Sequence, residues 1–266
     1  MQRVFLFLLS VLLIGFMSCK EKPKTKVPKV VGPNLLVESG FEEAEDPFSE
    51  WMNTQHCCDY SVTQSKEQFT EGGHSLRLEV RDTDPITSGS IRSELVQEID
   101  HVGTERWYGF NQYLENWVND TAGEHVFQWH PANTRGTATA SLWTTAGRYM
   151  LERNDGAINS GNYYDDLGPI ISDEWVSWVL HIRWAADSTG VIQVWKNGKK
   201  MIDREYIPTA PYEGTYFKLG INKFGWGIQR STTRKRVLFY DEVRIGNEKA
   251  SYDDVKPRNT PPPPKK

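Results

Sequence analysis

The sequence predicts an all-β domain that folds as a two-sheet antiparallel jelly-roll sandwich. Alternating or β-rich runs follow one another along the chain, each bounded by Gly, Pro, Asn or Asp, and this pattern is typical of strands joined by turns. The helical signals are short, so the chain lacks a βαβ rhythm. Many strands without crossover helices favour two packed antiparallel sheets.

Each predicted strand rests on the same local pattern, and one turn is especially clear. Asn197-Gly198 lies between the runs 191–195 and 200–202, and Asn-Gly is the sequence that a tight β-hairpin turn prefers. In chain order, the predicted strands cover 75–80, 91–99, 106–113, 125–130, 138–143, 149–153, 175–184, 190–196, 216–222 and 236–245.

Aromatic residues are abundant, with ten Trp and eleven Tyr in the chain. Such residues stack on sugar rings in carbohydrate-binding proteins, but large aromatic side chains also fill the core of a sandwich. We expect core packing for Trp107, Trp175, Trp178 and Trp184.

Both ends of the chain are predicted to lie outside the sandwich. Residues 1–18 join an early basic residue to a short apolar run, as a signal peptide does. The residues around Cys19 resemble a lipobox, in which this cysteine becomes the diacylated first residue of a bacterial lipoprotein. Residues 19–33 predict a Lys/Pro-rich tether and 257–266 a disordered Pro-rich tail, which leaves 34–256 as one domain.

These segments predict an exported monomer that is lipid-anchored through Cys19 in the bacterial cell envelope, at the outer membrane. The two other cysteines, Cys57 and Cys58, are adjacent and form either a vicinal disulfide or buried thiols. No second Cys or His pair stands at ligand spacing from them, so the sequence predicts no metal site of the zinc type.

The segment 216–239 is basic, although the chain as a whole has a formal net charge of -4. It contains no Asp or Glu, and a local excess of this kind predicts a groove that binds an acidic ligand. The chain carries no nucleic-acid-binding motif, so we expect no nucleic acid partner. The basic residues are Lys218, Lys223, Arg230, Arg234, Lys235 and Arg236.

Three predicted strands carry polar side chains on one face. Residues two apart in a strand point to the same side of a sheet, and buried charges are costly unless they meet a partner. Three such strands in one sandwich therefore indicate a binding site. The shared-face sets are Tyr216, Lys218, Gly220 and Asn222; Arg92 and Glu94; and Gln128 and His130.

The same strands carry a family resemblance. Arg92-Ser93-Glu94-Leu95, Gln128-Trp129-His130 and the block 216–220 are similar to the three blocks of jelly-roll polysaccharide lyases, namely the alginate lyase and heparin lyase I/glucuronan lyase groups. The ending 240–246, followed by 250–255, looks most like the heparin lyase I-type branch. The resemblance implies a fold of the concanavalin A-like lectin and glucanase type.

The resemblance also implies a reaction, the β-elimination of a polysaccharide that contains uronic acid. A base removes the C5 proton next to a neutralised carboxylate, and an acid protonates the departing O4 oxygen. By resemblance, His130 is the base or carboxylate neutraliser, Lys218 stabilises developing charge, and Glu94 orients Arg92. The implied substrate-binding residues are Arg92, Gln128, Asn222, Lys223 and Trp226.

Asn222 departs from the family, because the corresponding residue is usually the Tyr that serves as catalytic acid. Asn does not act as a general acid at neutral pH. Two tyrosines, Tyr216 and Tyr149, are candidates for the role. A non-catalytic surface lipoprotein that binds acidic glycans is the alternative interpretation.

A laminarinase-type glycoside hydrolase is a second alternative from the same architecture. It requires two carboxylates on one strand face. Glu98 and Asp100 begin such a pattern, but Val102 and Gly103 occupy the positions of the partner. We therefore favour the lyase.

No cofactor is required for this chemistry, and a structural calcium ion is a separate hypothesis. Calcium prefers several hard oxygen ligands. Glu38, Glu42 and Glu43 near the start of the domain, together with Asp241 near its end, are the candidate ligands.

Overall fold

The computed structural model describes residues 31–132, 137–154, 162–210 and 213–259. The predicted signal peptide, Cys19, most of the predicted tether and the end of the predicted tail lie outside these residues. In the described part of the chain, no helix is long and apolar enough to cross a membrane.

Two antiparallel sheets form the domain. The first contains, in spatial order, β13 (Lys199–Ile207), β12 (Gly190–Lys196), β11 (Trp175–Arg183), β6 (Glu105–Glu115), β15 (Lys235–Gly246), β4 (Ser75–Arg81) and β3 (Val62–Ser65), with β1 (Leu35–Ser39) paired to β15. The second contains β10 (Asn162–Pro169), β9 (Arg148–Asn154), β8 (Ala140–Thr145), β7 (His125–Pro131), β14 (Thr215–Asn222), β5 (Arg92–Asp100) and β2 (Asn53–Gln55).

This architecture confirms the predicted all-β sandwich. The described helices are a 3-10 turn at Phe224–Gly227 and α1 at Tyr252–Val255. The predicted hairpin joins β12 to β13, and Asn197 and Gly198 have positive φ angles of 49° and 75°, as the tight hairpin turn requires. The sequence did not predict β10, an edge strand whose Asp165, Asp166 and Gly168 are poor strand formers.

The core lies between the two sheets and is rich in aromatic rings. Phe110 and Phe127 meet edge to face with centroids 5.1 Å apart, and Trp129 packs 5.1 Å from Phe217. Pairs of this kind stabilise a core beyond the area that they bury.

The expected core tryptophans divide into two groups. Trp178 and Trp184 are fully buried, which confirms their prediction. The prediction was wrong for Trp107 and Trp175, which are only half-buried. Trp107 stacks on His181 outside the core, with ring centroids 4.0 Å apart.

Of the two alternatives for the adjacent cysteines, the structure shows the vicinal disulfide. Cys57 and Cys58 form a disulfide in the loop that follows β2. The bond therefore lies two residues beyond Gln55, the last residue of that strand.

The second sheet turns one row of polar residues away from the core. Strand pairing places Lys218 opposite Gln128, Gln128 opposite Ser141, Ser141 opposite Glu152, and Glu152 opposite Tyr164. Directly paired residues lie on the same face of a sheet. The row therefore crosses five neighbouring strands on the outer face.

A register shift adds His125 to this face. Simple alternation would place His125 on the core side with Phe127 and Trp129. The β7–β8 pairing shifts between His125 and Phe127, and both Val126 and Phe127 lie in the core. The bulge therefore turns His125 outward, as bulges often re-aim a side chain near a functional site.

Candidate active site

A cleft of about 460 Å³ lies on the outer face of the second sheet. Arg92 from β5, Gln128 and His130 from β7, and Asn222 at the end of β14 all line it. These residues come from the three polar-faced strands, and they meet because β14 lies between β5 and β7. The volume is in the range of small-ligand sites.

Glu94 is the buried hub on one side of the cleft. Its Oε2 atom accepts a hydrogen bond from Arg92 Nη1 at 3.0 Å and lies 3.4 Å from Lys218 Nζ. Its Oε1 atom accepts a hydrogen bond from Gln128 Nε2. Gln55 Oε1 adds a 2.7 Å contact to Lys218 and a 3.3 Å contact to Arg92. As predicted, Glu94 contacts Arg92 and holds it in place.

His130 lies in the cleft, and the hydrogen bonding of its two ring nitrogens defines its tautomer. Its Nδ1 atom is 3.1 Å from the carbonyl oxygen of Pro131, and a carbonyl only accepts, so Nδ1 carries the proton and Nε2 the lone pair. No described residue makes a hydrogen bond to Nε2. Burial lowers the pKa of His130 below its ordinary value, and the charges of Lys218 and Arg92 lower it further. The imidazole is therefore neutral at pH 7 and able to accept a proton.

Tyr216 supplies a phenol beside this imidazole. Its hydroxyl lies 3.3 Å from His130 Nδ1, and the two residues are directly paired across β14 and β7. Burial raises the pKa of Tyr216 above its ordinary value. The hydroxyl therefore keeps its proton at pH 7 and remains a potential acid. Tyr216 adjoins the cleft through His130 and is not one of the residues that line it.

Ser90, which was not predicted as a site residue, connects Asn222 to Arg92. The Ser90 hydroxyl donates to Asn222 Oδ1 at 2.6 Å and accepts from Arg92 Nη2 at 2.8 Å. The Asn222 amide nitrogen makes no hydrogen bond to a described residue, so it can donate to a ligand. Arg92 Nε is buried and has no partner among the described residues.

Glu152 is a second buried hub, on the other side of the cleft. Its Oε2 atom accepts from Ser141 Oγ at 2.9 Å and from Trp143 Nε1 at 2.6 Å. Its Oε1 atom accepts from the Tyr164 hydroxyl at 3.1 Å and from Asn162 Nδ2. This group was not predicted from the sequence, although Glu152 lies in a predicted strand.

His125 links the two hubs. Its Nδ1 atom is 3.2 Å from Gln128 Oε1, and its Nε2 atom is 3.8 Å from Glu152 Oε2. Nε2 is buried and makes no hydrogen bond to a described residue. Burial lowers the pKa of His125 to about 4, so this ring is neutral at pH 7.

Comparison with known proteins places this architecture in a family. A family model described as polysaccharide lyase matches residues 45–244, which is most of the chain. The chain belongs to the polysaccharide lyase family. The protein is thus a polysaccharide lyase, and the predicted family and enzyme class are confirmed.

Solved structures share the fold of this lyase. An endo-β-1,4-glucuronan lyase from the fungus Trichoderma reesei superposes with a TM-score of 0.66 at 22% identity, over 78% of this chain and 94% of that chain. Alginate lyase A1-II′ gives a TM-score of 0.53 at 14% identity, over 70% and 85%. Alginate lyase PA1167 from Pseudomonas aeruginosa gives 0.51 at 18% identity, over 72% and 87%. None of the curated proteins compared with the chain matches it.

Two expected site residues of the lyase lie elsewhere. Tyr149 is fully buried in the core, with its ring centroid 5.2 Å from that of Trp178, so its candidacy as catalytic acid is wrong. Lys223 is also fully buried, and its Nζ atom lies 3.0 Å from Asp120 and 2.9 Å from Glu124. Because this ammonium is enclosed by carboxylates, its predicted contact with substrate is wrong.

Lys218 and Trp226, two further predicted site residues, do not line the cleft. Lys218 is 1% exposed, and its Nζ atom adjoins the site through Glu94, 3.4 Å away. Trp226 donates its indole N–H to Ser231 at 2.8 Å and does not line the cleft. The neighbouring Phe224 lines it instead.

The four proposed calcium ligands of the lyase do not form a common site. Glu42 accepts hydrogen bonds from the backbone of Gly73 and His74, and Asp241 accepts from the backbone of Thr70. Among the described residues, none of the clusters with metal-ligand geometry contains these carboxylates. A structural calcium ion stays a prediction that melting with and without a chelator would test.

Proposed function

We propose that this polysaccharide lyase cleaves an anionic polysaccharide containing uronic acid by β-elimination. The observation that carries the proposal is the convergence of Arg92, Gln128 and His130 on one cleft. A guanidinium and an amide are the groups that bind and neutralise a carboxylate. A neutral imidazole beside them is the group that removes a weakly acidic proton.

In the proposed reaction, Arg92 and the free amide N–H of Gln128 hold the substrate carboxylate, and Asn222 binds a hydroxyl group. His130 Nε2 takes the C5 proton. The electrons of that C–H bond form the C4–C5 double bond as the bond from C4 to O4 breaks. Tyr216 gives its proton to O4. One product therefore has a new reducing end, and the other has an unsaturated uronate at its new non-reducing end.

The charges around the cleft support this order of events. Lys218, which adjoins the site through Glu94, favours negative charge on the substrate as the C5 proton leaves. After the step, the imidazolium of His130 lies 3.3 Å from the phenolate of Tyr216. Transfer of the Nδ1 proton across that contact restores the phenol. Loss of the C5 proton from Nε2 to solvent, with uptake of a solvent proton at Nδ1, then restores the resting imidazole.

The cleft is a poor match for hydrolysis. A glycoside hydrolase needs two carboxyl groups that flank the bond to be cleaved. Of the described residues that line the cleft, Glu152 is the single carboxylate, and both of its oxygens already accept hydrogen bonds from the protein. Elimination requires no such pair.

The test is incubation of the purified lyase with alginate, glucuronan, heparin and ulvan while ultraviolet absorbance is followed. Elimination forms an unsaturated uronate that absorbs. We expect absorbance to rise with at least one polymer, and to fail to rise with the His130→Ala variant. New reducing ends without absorbance would instead show hydrolysis and refute the proposal.

We also propose that the lyase is exported and lipid-anchored through Cys19 at the outer membrane, as a monomer. The support is the apolar run and lipobox-like residues of the first nineteen positions. Incorporation of labelled fatty acid in the wild type, and its loss in a Cys19→Ser variant, tests the anchor. Light scattering of the purified domain tests the monomer.

A further inference from the structure

The cleft has two sides of opposite charge. On one side, the two cations Arg92 and Lys218 share the single anion Glu94, which leaves an excess of positive charge. On the other side stands Glu152, which is 2% exposed. Of the described residues that line the cleft, Arg92 is the one with a permanent positive charge and Glu152 the one with a negative charge.

Hydrogen-bond donors surround the Glu152 side chain. Its partners are an indole N–H, an amide N–H and two hydroxyls, and each of its oxygens accepts two of these bonds. A carboxylate is the form of the side chain that accepts at both oxygens. This side of the cleft is therefore built around an acidic group that accepts hydrogen bonds.

An acceptor without a described partner stands beside Glu152. Gln128 donates its amide N–H to Glu94, so its Oε1 atom accepts from His125 Nδ1. The lone pair of the neutral imidazole is then on Nε2, which is 3.8 Å from Glu152 Oε2. His125 is 7% exposed and Nε2 has no described hydrogen-bond partner. A ligand that donates a hydrogen bond would satisfy this acceptor.

The two charged sides meet different parts of a bound polymer. Gln128 and Glu152 lie two strands apart, which separates their backbones by about 10 Å. The half-buried ring of Trp143 lies between His125 and Tyr164. Its ring centroid is 4.8 Å from that of His125 and 6.3 Å from that of Tyr164. An aromatic wall beside polar acceptors suits a sugar ring that carries hydroxyl or N–H donors.

We propose that Glu152, His125, Trp143, Asn162 and Tyr164 form a subsite for a sugar residue that has no carboxylate. A second uronate here would face the Glu152 carboxylate, whereas a neutral or N-acetylated sugar has hydroxyl or N–H groups that can donate to His125 Nε2. This inference rests on the proposed β-elimination and specifies its substrate. The substrate is a heteropolysaccharide in which a uronate adjoins a non-acidic sugar, in preference to a homopolymer of uronates.

The experiment compares two polymer classes by initial rates of unsaturated-uronate formation. Alginate and glucuronan represent homopolymers of uronates, and hyaluronan and desulfated ulvan represent alternating polymers without sulfate. We expect kcat/KM of the wild type to be at least about tenfold higher on an alternating polymer, the size of one partly screened charge contact. Equal rates, or a preference for the homopolymers, would overturn the proposal.

Variants test whether the preference for alternating polymers arises from the Glu152 side of the cleft. Glu152→Gln keeps the side-chain shape and removes the charge, so the preference should fall about tenfold. Tyr164→Phe keeps the charge but deletes one hydroxyl that adjoins the ligand, so KM on the alternating polymer should rise about threefold while kcat is kept. Glu205→Gln, an exposed carboxylate on the other sheet, is the matched control and should change neither.

The outcomes separate the two proposals. A folded Glu152→Gln variant, checked by near-ultraviolet circular dichroism, that keeps the wild-type preference overturns the subsite. If this variant does not fold, the wild-type preference and Tyr164→Phe decide. If no polymer yields unsaturated product, β-elimination is refuted, and binding of the same four polymers by calorimetry then decides the subsite: tighter binding of the homopolymers overturns it.

Discussion

Glu94 is the residue on which the positive side of the cleft depends. It is 0% exposed, and it is 3.0 Å from Arg92 and 3.4 Å from Lys218. Glu94→Gln keeps the shape but leaves two buried cations with no anion at these distances. Loss of one partner from a buried ion pair costs about 3–5 kcal/mol of unfolding free energy. At about 2–4 °C per kcal/mol for a domain of this size, Tm should fall by about 6–20 °C.

Thermal melting and the ultraviolet cleavage assay measure the two effects of this change. We expect Glu94→Gln to lose activity as well as stability, because Arg92 loses the carboxylate that fixes its guanidinium. Adding Lys218→Met removes one stranded cation, so the double variant should be more stable than the sum of the two single changes predicts. Asp166→Asn, which removes the partner of the solvent-exposed Arg148, is the control and should leave Tm unchanged.

Two results would refute this reasoning. If Glu94→Gln melts at the wild-type temperature, the buried charges do not depend on Glu94. If the double variant equals the sum of the single variants, Glu94 and Lys218 are not coupled, and the account of the cleft as a shared charge network is wrong.

Three further predictions concern proton transfer and the corrected residues. Burial holds the pKa of His130 below its usual value of about 6.5, and the base acts when neutral. On the acidic side, kcat/KM should therefore fall only below about pH 6.5, and an acidic limb with its midpoint above pH 7 would contradict the assignment. Tyr216→Phe should lower kcat by about 10²-fold or more, whereas Tyr149→Phe should keep the wild-type kcat in the same assay. Lys223→Met should lower the unfolding free energy by about 3–5 kcal/mol, measured by urea titration, and leave KM unchanged; a raised KM in the folded variant would restore Lys223 to the substrate site.

The sequence predicted the central strands of the fold because their patterns are strong. β7, β11, β14 and β15 combine β-branched or aromatic residues with clear turn signals. The edge strand β10 was not predicted because edge strands need few apolar residues, and its two tyrosines are exposed. Pairing with β9, and not local propensity, makes it a strand.

The site was predicted where alternation is regular and missed where it is not. Arg92, Gln128 and His130 follow the two-residue period, so their shared face could be read from the chain. In β9 the same period places Tyr149 and Leu151 in the core and Glu152 in the cleft. The prediction of Tyr149 therefore selected the face of β9 that points into the core. His125 could not be predicted from the sequence, because a register shift that no local pattern encodes turns it outward.

Asn222 occupies the position where the family resemblance implies a tyrosine acid, and the structure offers a different location for that acid. Six residues separate Tyr216 from Asn222, so their backbones are about 20 Å apart along β14. One leaving oxygen cannot meet both side chains. If Tyr216 protonates O4, the double variant Tyr216→Phe with Asn222→Tyr should stay as inactive as Tyr216→Phe, because the new phenol stands beside Ser90 and His125, at the far end from His130. Asn222→Ala controls for the loss of the amide. Recovery of kcat in the double variant would show that the reaction takes place at position 222, and that His130 and Tyr216 are not its proton-transfer pair.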